Sequence, residues 1–361
     1  MGAGTRMASP ASESLCTSAL LDWRFFEAED MVAGVEAGMP LAEFRKKLTE
    51  HHMQLPASPW FEGATMGGVV AANDFGAERM TGGGWRDAII GMEYIDCHGE
   101  VVRVGGKVVK NVTGYDLSRM MIGSLGGLGV LTAINFKLMP ARLNPHTLCG
   151  QWGDRSWVTC MAALHHAKLP IDWAQAVFVG GNWLVGIGIS GNEARRTRLA
   201  EELSRCFDNR LTLFQSARIP DPFAGFATEA LELGFLTPHA RALGQDFLHI
   251  HGRFPTSFWL SPAKWYPDPE KEMRVIVHPF GGDGHWMVHE ANARTFLTRL
   301  EQVVEGVPGY LVLERFPKSW EKASWLVRPL PAEYSIMQRL KLGMDPQGLF
   351  QAPFYQQSAG N

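Results

Sequence analysis

A chain of 361 residues is long enough for two domains of ordinary size, each with its own core. A net charge of −3 with 46% hydrophobic and 20% charged residues describes a globular protein, and without a basic block nothing directs it to nucleic acid or to an anionic membrane surface. No apolar run reaches the length of a bilayer span, and MGAGTRMASP is not a secretory leader. Cys16, Cys97, Cys149, Cys160 and Cys206 form no CxxC pair, which excludes a self-contained iron–sulfur or zinc-finger motif and suits a reducing cytoplasm.

Taken in chain order, VAGVEAG (32–38) ends a short strand, and MPLAEFRKKLTEHH reads as a helix with Pro40 in its first turn. Leu41, Phe44 and Leu48 form its apolar stripe, and Glu43 and Lys47 are spaced to pair. Pro56 breaks the pattern, and the chain then runs through small residues to ATMGGVVAANDFG. IIGMEYIDCHGEVVRV predicts a hairpin turning at His98-Gly99. Beyond Gly105-Gly106, alternation places Val130, Thr132, Ile134, Phe136 and Leu138 on one strand face, with Asn135 and Lys137 on the other.

After residue 142 the glycine loops thin out and strands alternate with amphipathic helices, which predicts a second, α+β domain over 143–335. AQAVFVGGNWLVGIGIS is a hairpin turning at Gly180-Gly181-Asn182, and Asn192 can cap the helix that follows. PDPFAGFATEALELGF is irregular and then helical. HEANARTFLTRLEQVVEG is an amphipathic helix with Phe296, Leu297, Leu300 and Val304 inward. FPTSFWLSPAKWYP, with Trp259 and Trp265, reads as core packing. The tail over 336–361 predicts a helix ending at Gly343 and then a Pro-Gly-punctuated segment.

Three stretches share one property: GAGT (2–5), ATMGGVVAAN (64–73) and GSLGGLGVLT (123–132) are small-residue runs beside expected strands. Any one alone is a tight turn or a bulge. Three in order point to a ligand that backbone N–H groups approach, such as a dinucleotide pyrophosphate or a flat ring.

These runs, together with VEAGMPLAEFRKKLTEHHMQLP, GGWRDAIIGMEYIDCHGEVVRVGG and KNVTGYDLSRMMIGSLGGLG, resemble the FAD-binding domain of the PCMH/vanillyl-alcohol-oxidase superfamily. Within it the chain is most similar to the E subunits of bacterial glycolate oxidases. The resemblance implies an α+β chain: a PCMH-type, two-subdomain FAD-binding fold over 1–142, then an α+β cap. Family members begin with a strand and helix ahead of the first glycine loop, so it also implies an N-terminally truncated fold or a misplaced start. By the same resemblance Gly2, Ala3, Gly4 and Thr5 cradle the FAD pyrophosphate. Thr65, Gly67, Gly68, Val69, Ala72 and Asn73 line the flavin and ribityl region, and Gly123, Ser124, Gly126, Gly129 and Val130 approach it with bare backbone. No histidine or cysteine in the first loop offers a covalent flavin link, so non-covalent FAD is expected. Arg86-Asp87 is read as an ion pair, Asp116 as a helix cap, and Lys110, Asn111 and Tyr115 as packing residues. Leu125 stands where much of the superfamily has Glu, and Gln351-Ala352-Pro353 where it has Asn-Pro-Gly.

Oxidising a 2-hydroxy acid needs a cation for the carboxylate, a base for the hydroxyl proton and a hydride acceptor. VHPFGGDGHWMVH, with His278, Asp283, His285 and His289, is similar to the His-x-Gly-Asp-Gly-Asn-x-His metal motif of the catalytic glycolate oxidase subunit. It departs from that motif at Phe280, His285 and Met287, so it is read as a glycine-rich hairpin with surface histidines. Arg315 and Arg328 read as core-edge ion pairs. No metal and no catalytic residue are assigned.

The expected function is the FAD-binding subunit of a glycolate oxidase-type dehydrogenase. Such a subunit works in the cytoplasm beside a catalytic flavoprotein subunit and an iron–sulfur subunit, and reaches the membrane only through partners. A self-sufficient FAD-linked 2-hydroxy-acid dehydrogenase and a structural subunit without working FAD are the alternatives.

Overall fold

Alternating apolar residues in the first third of the chain build strands that each cover one face of a shared core. The structure is a computed structural model describing residues 15–57, 64–107, 117–214, 247–261, 273–315, 320, 327–328 and 334–350. The chain divides into two compact units, 1–141 with 332–361, and 142–331.

In the first unit the strands are β1 (Trp23–Glu27), β2 (Val32–Glu36), β3 (Met53–Gln54), β4 (Ile89–Ile95), β5 (Val101–Gly105), β6 (Val130–Lys137) and β7 (Met139–Pro140). Five of them form an antiparallel sheet in the order β1-β2-β6-β4-β5, and β3 pairs with β7. The helices are α1 (Leu41–Glu50), α2 (Met66–Ala72), α3 (Arg79–Gly82), α4 (Trp85–Ala88) and α5 (Ser118–Met121). Leu41, Phe44 and Leu48 of α1 are buried as the stripe requires, and Pro40 is its extended N-cap, where a missing N–H costs nothing. The Lys47 ammonium lies 4.3 Å from the Trp23 ring centroid. Phe44, Trp85 and Phe136 meet edge to tilted at the centre of the core.

The β4–β5 hairpin turns where expected, with Gly99 at φ +79° and the Asp96 carboxylate accepting from the N–H groups of His98 and Glu100. Ile134 and Phe136 of β6, and Leu138 just beyond it, line the core as the alternation requires, whereas a β-bulge corrects the expected face at Val130 and Thr132. Glu93 opposes Ala133 but Tyr94 opposes Leu131, so Thr132 is the extra residue and the alternation flips around it. Leu131, Ile134, Phe136 and Leu138 therefore join the core. Thr132 turns instead to Glu93, donating its hydroxyl to Oε1 at 2.9 Å. Asp87 accepts from the Gly84 N–H and caps α4, which replaces the expected ion pair as its described role.

In the second unit β8 (His146–Trp152), β9 (Trp173–Val179), β10 (Asn182–Ile189), β11 (Thr212–Phe214), β12 (Phe247–Arg253), β13 (Arg274–His278), β14 (Asp283–His289), β15 (Tyr310–Arg315) and β16 (Val327–Arg328) form one antiparallel sheet. Its order is β11-β8-β10-β9-β13-β14-β12-β15-β16. The helices are α6 (Trp157–Ala167), α7 (Glu193–Cys206), α8 (Thr256–Trp259) and α9 (Glu290–Val304). Asn192 caps α7 through Arg195 N–H, and Phe296, Leu300 and Val304 are the buried side of α9. Trp259 is fully buried, consistent with core packing, and Trp265 lies outside the described residues. Gly252 and Gly284 oppose each other because a Cβ at either would collide with Trp286 or Trp259.

The chain returns to the first unit with α10 (Tyr334–Met344). This helix does not stop at Gly343 but one residue later, where Pro346 bars the α conformation at Asp345. Its Leu340 and Met344 pack on the first core. No helix among the described residues is long and apolar enough to cross a membrane.

Candidate functional site

ATMGGVVAAN folds as the short helix α2, which the sequence reading did not anticipate. Thr65 Oγ1 accepts from Gly68 N–H at 3.1 Å as the N-cap, and Asn73 closes the helix in the left-handed region at φ 52°. The later run GSLGGLG lies against the end of this helix. Gly123 N–H donates to Val70 O at 3.1 Å, and Leu125 N–H to Ala71 O at 2.9 Å. Two of the three small-residue stretches, 50 residues apart in sequence, thus form one surface through backbone alone. GAGT, and with it Gly2, Ala3, Gly4 and Thr5, lies outside the described residues, as do Lys110, Asn111, Tyr115, Asp116 and Gln351-Ala352-Pro353.

Not every glycine there is bare for the same reason. A Cβ on Gly67 would stand 2.8 Å from Ala37 Cβ, and one on Gly129 would stand 2.8 Å from Ile95 O, so both are needed by the protein's own packing. Gly67, Val69, Ser124 and Gly129 are buried, whereas Thr65, Gly68, Ala72, Asn73, Gly123, Gly126 and Val130 are wholly or partly accessible. At Gly126, with φ +77°, nothing among the described residues lies within 4 Å of the Cβ position. Ser124 is buried, and its hydroxyl has no hydrogen-bond partner among the described residues. A buried hydroxyl is costly to leave unmet. An open glycine cradle and an orphaned hydroxyl in one loop fit a polar ligand such as FAD. Leu125 supplies no carboxylate and holds the left-handed region at φ 53°.

The loop is tied down from the far end of the chain. Lys341 of α10 donates to Gly127 O at 2.7 Å and to Phe350 O at 2.6 Å, and pairs with Asp345 Oδ2. The Asp345 side chain is wholly buried and also accepts from Leu349 and Phe350 N–H. Burial alone would raise its carboxyl, but the Lys341 ammonium and the two backbone donors outweigh it and hold it below its ordinary value.

A second group of polar side chains occupies the sheet of the other unit. His278, Asp283 and His285 are buried, which corrects the expectation of surface histidines, and His289 is the N-cap of α9, accepting from Ala291 N–H. Sequence reading missed two members. His249 and His251 on β12 face the same side because His251 pairs with His285 across the ladder. The alternation in HIH was the available signal, but the pairing across 34 residues was not visible. Arg315 and Arg328 lie on β15 and β16.

Residues 2–105 match the family model described as FAD binding domain. The chain is 41% identical over 117 residues to the glycolate oxidase subunit GlcE of Escherichia coli K12, covering 32% of this chain and 33% of that protein. It is 33% identical over 114 residues to a D-lactate dehydrogenase of Archaeoglobus fulgidus, covering 32% of this chain and 26% of that protein. The matched segments therefore span about a third or less of these relatives. An alkyldihydroxyacetonephosphate synthase structure superposes with a TM-score of 0.62 at 11% identity, covering 92% of this chain and 66% of that one, a likeness of fold.

Proposed function

We propose, from the premise that this chain carries an FAD-binding domain of the PCMH type, that it is the FAD-binding subunit of a glycolate oxidase-type complex. The observation that carries the proposal is the joining of the two glycine runs at Val70 and Ala71, with the buried Ser124 Oγ in the second run unmet among the described residues. Thr65, Gly68, Ala72, Asn73, Gly123, Gly126 and Val130 hold FAD at the accessible rim, and Ser124 offers its hydroxyl from beneath. Gly67 and Gly129 let the helix and strand close behind that rim. Gly2, Ala3, Gly4 and Thr5 receive the pyrophosphate in this reading. FAD, when bound non-covalently there, supplies a hydride acceptor and a site that exchanges electrons singly or in pairs. The chain's own part is to hold the coenzyme through backbone N–H groups and to fix the loop through Lys341.

The cysteines at the described positions are all free, and the metal-competent group among the described residues contains no thiol. Onward one-electron transfer therefore falls to a companion iron–sulfur subunit, and oxidation of the 2-hydroxy acid to a catalytic flavoprotein subunit. The complex is cytoplasmic in this proposal and reaches a membrane through those companions. The test is reconstitution under anaerobic conditions. The flavin of this chain should stay oxidised with glycolate or D-lactate alone and be reduced once the partner subunits are added. Reduction by either acid without partners would make the chain a self-sufficient dehydrogenase, and a chain that takes up no FAD would leave only a structural role.

A further inference from the structure

The histidine cluster of the second unit is not used by the proposed function, and burial makes it expensive to keep. His249, His278, Asp283 and His285 are each at most 7% exposed, on neighbouring strands β12, β13 and β14. Cross-strand register puts them on one face: His251 opposes His285, and His278 opposes Asp283. Hydrophobic residues of the same volume would fill this space at lower cost, since buried ionisable groups gain little over apolar ones unless paired or ligating.

Their geometry is layered. Ligand atoms of His251, Asp283 and His285 all lie within 4.8 Å of one another. The His285 Nε2 is 3.8 Å from Asp283 Oδ2, and the His251 and His285 rings stack at 4.4 Å with 9° between their planes. Around these three sit two orienting contacts. His249 Nε2 is 3.2 Å from His285 Nδ1, and His278 Nδ1 is 2.8 Å from Asp283 Oδ2. A metal-binding imidazole is usually fixed in this way through its other nitrogen, and a metal-binding carboxylate through a further hydrogen bond. Among the described residues Asp283 Oδ1 and His278 Nε2 are buried without a hydrogen-bond partner. The Asp283 carboxyl is thus buried with one oxygen in a hydrogen bond to His278 and the other unmet among the described residues, an arrangement that leaves room for a cation.

We propose that His251, Asp283 and His285 form a divalent-cation site of the zinc class, with His249 and His278 as positioning residues. Two imidazoles and a carboxylate are borderline-soft donors suited to Zn²⁺, and three protein ligands leave a fourth position for water. Tetrahedral zinc with bonds of about 2.0–2.1 Å sets its ligands roughly 3.4 Å apart, so the three must draw in by about 1 Å, and the His251 and His285 rings must turn out of their stack for each to point a nitrogen lone pair at the ion. The ligand set differs from the His-x-Gly-Asp-Gly-Asn-x-His motif, two of whose histidine positions are Phe280 and Met287 here. The nitrogens come instead from β12 and from the position of the motif's Asn.

The test is zinc binding by the full chain, stripped with chelator and reloaded with ZnSO₄, with zinc counted by mass spectrometry and affinity measured against a chromophoric chelator. Wild type should retain about one zinc per chain, and Co²⁺ in its place should give the intense d–d bands of a four-coordinate site. His251→Ala and Asp283→Asn should each weaken zinc by more than about 100-fold, since even orienting partners are worth ~10–100-fold. His249→Ala should fall within that smaller range, and His289→Ala should change nothing. His251 is only partly buried, so its variant remains informative if Asp283→Asn fails to fold. A folded wild-type chain that retains no zinc, or a His251→Ala chain that binds as wild type, overturns the proposal.

Discussion

Lys341 is the point where the end of the chain governs the glycine loop, and replacing it with Met tests that link. The substitution keeps the length and apolar stem and removes the ammonium. At least three of its contacts go together, those to Gly127 O, Phe350 O and Asp345 Oδ2. Breaking a buried ion pair from one side costs about 3–5 kcal/mol because the other charge stays behind. Asp345 keeps its two backbone donors, Leu349 and Phe350 N–H, which argues for the low end, about 3 kcal/mol. With a urea m-value of ~2–3 kcal/mol/M, the transition of the first unit should move down by roughly 1 M. Asp345→Asn and the double variant complete a cycle, and the coupling should exceed about 1 kcal/mol. Flavin release should accelerate in the same variants, because the Gly127 carbonyl is no longer held. A loss of stability below about 1 kcal/mol with unchanged flavin release would refute the tether.

The remaining predictions rest on other features. The Asp345 carboxyl is held below its unfolded value, so its contribution is complete above about pH 5 and is lost as pH falls through the folded value. Acid titration of stability should therefore be shallower in Asp345→Asn than in wild type. Gly68→Trp should leave the chain folded yet abolish flavin retention, since among the described residues only Thr65 Oγ1, at 3.1 Å, stands near its Cβ position; retained flavin would remove α2 from the site. Cys149 is buried, and burial pushes its thiol up to about 12, so at pH 8 it should resist alkylation in the folded chain while exposed Cys16 reacts. Peptide mapping after labelling checks this, and modified Cys149 without unfolding would contradict the placement of β8.

Local features were legible in the sequence where the cause is local. The α1 stripe, the His98-Gly99 turn, the Gly180-Gly181 hairpin and the Asn192 cap each depend on a few adjacent residues, and each is found. What escaped depends on partners far along the chain. The bulge at Thr132 exists because β4 and β6 differ by one residue across their ladder, which no periodicity within either strand discloses. Gly343 looked like a helix end, yet the stop is set one residue later by Pro346 and the Lys341–Asp345 pair. The glycine runs were legible as a site but not in their division of labour. Gly67 and Gly129 are small for Ala37 and Ile95, whereas Gly126 is bare toward open space. The histidine cluster was half visible, because β14 shows Asp283 and His285 while His249 and His251 arrive from a strand more than 30 residues earlier.

Flavin binding by backbone between Thr65–Asn73 and Gly123–Val130 is the central proposal. Acid precipitation of the purified, folded chain followed by absorbance of the supernatant measures this directly. The expected result is about one FAD per chain, released without proteolysis and restored on dialysis against FAD. A folded, colourless chain that takes up no FAD from solution would contradict it.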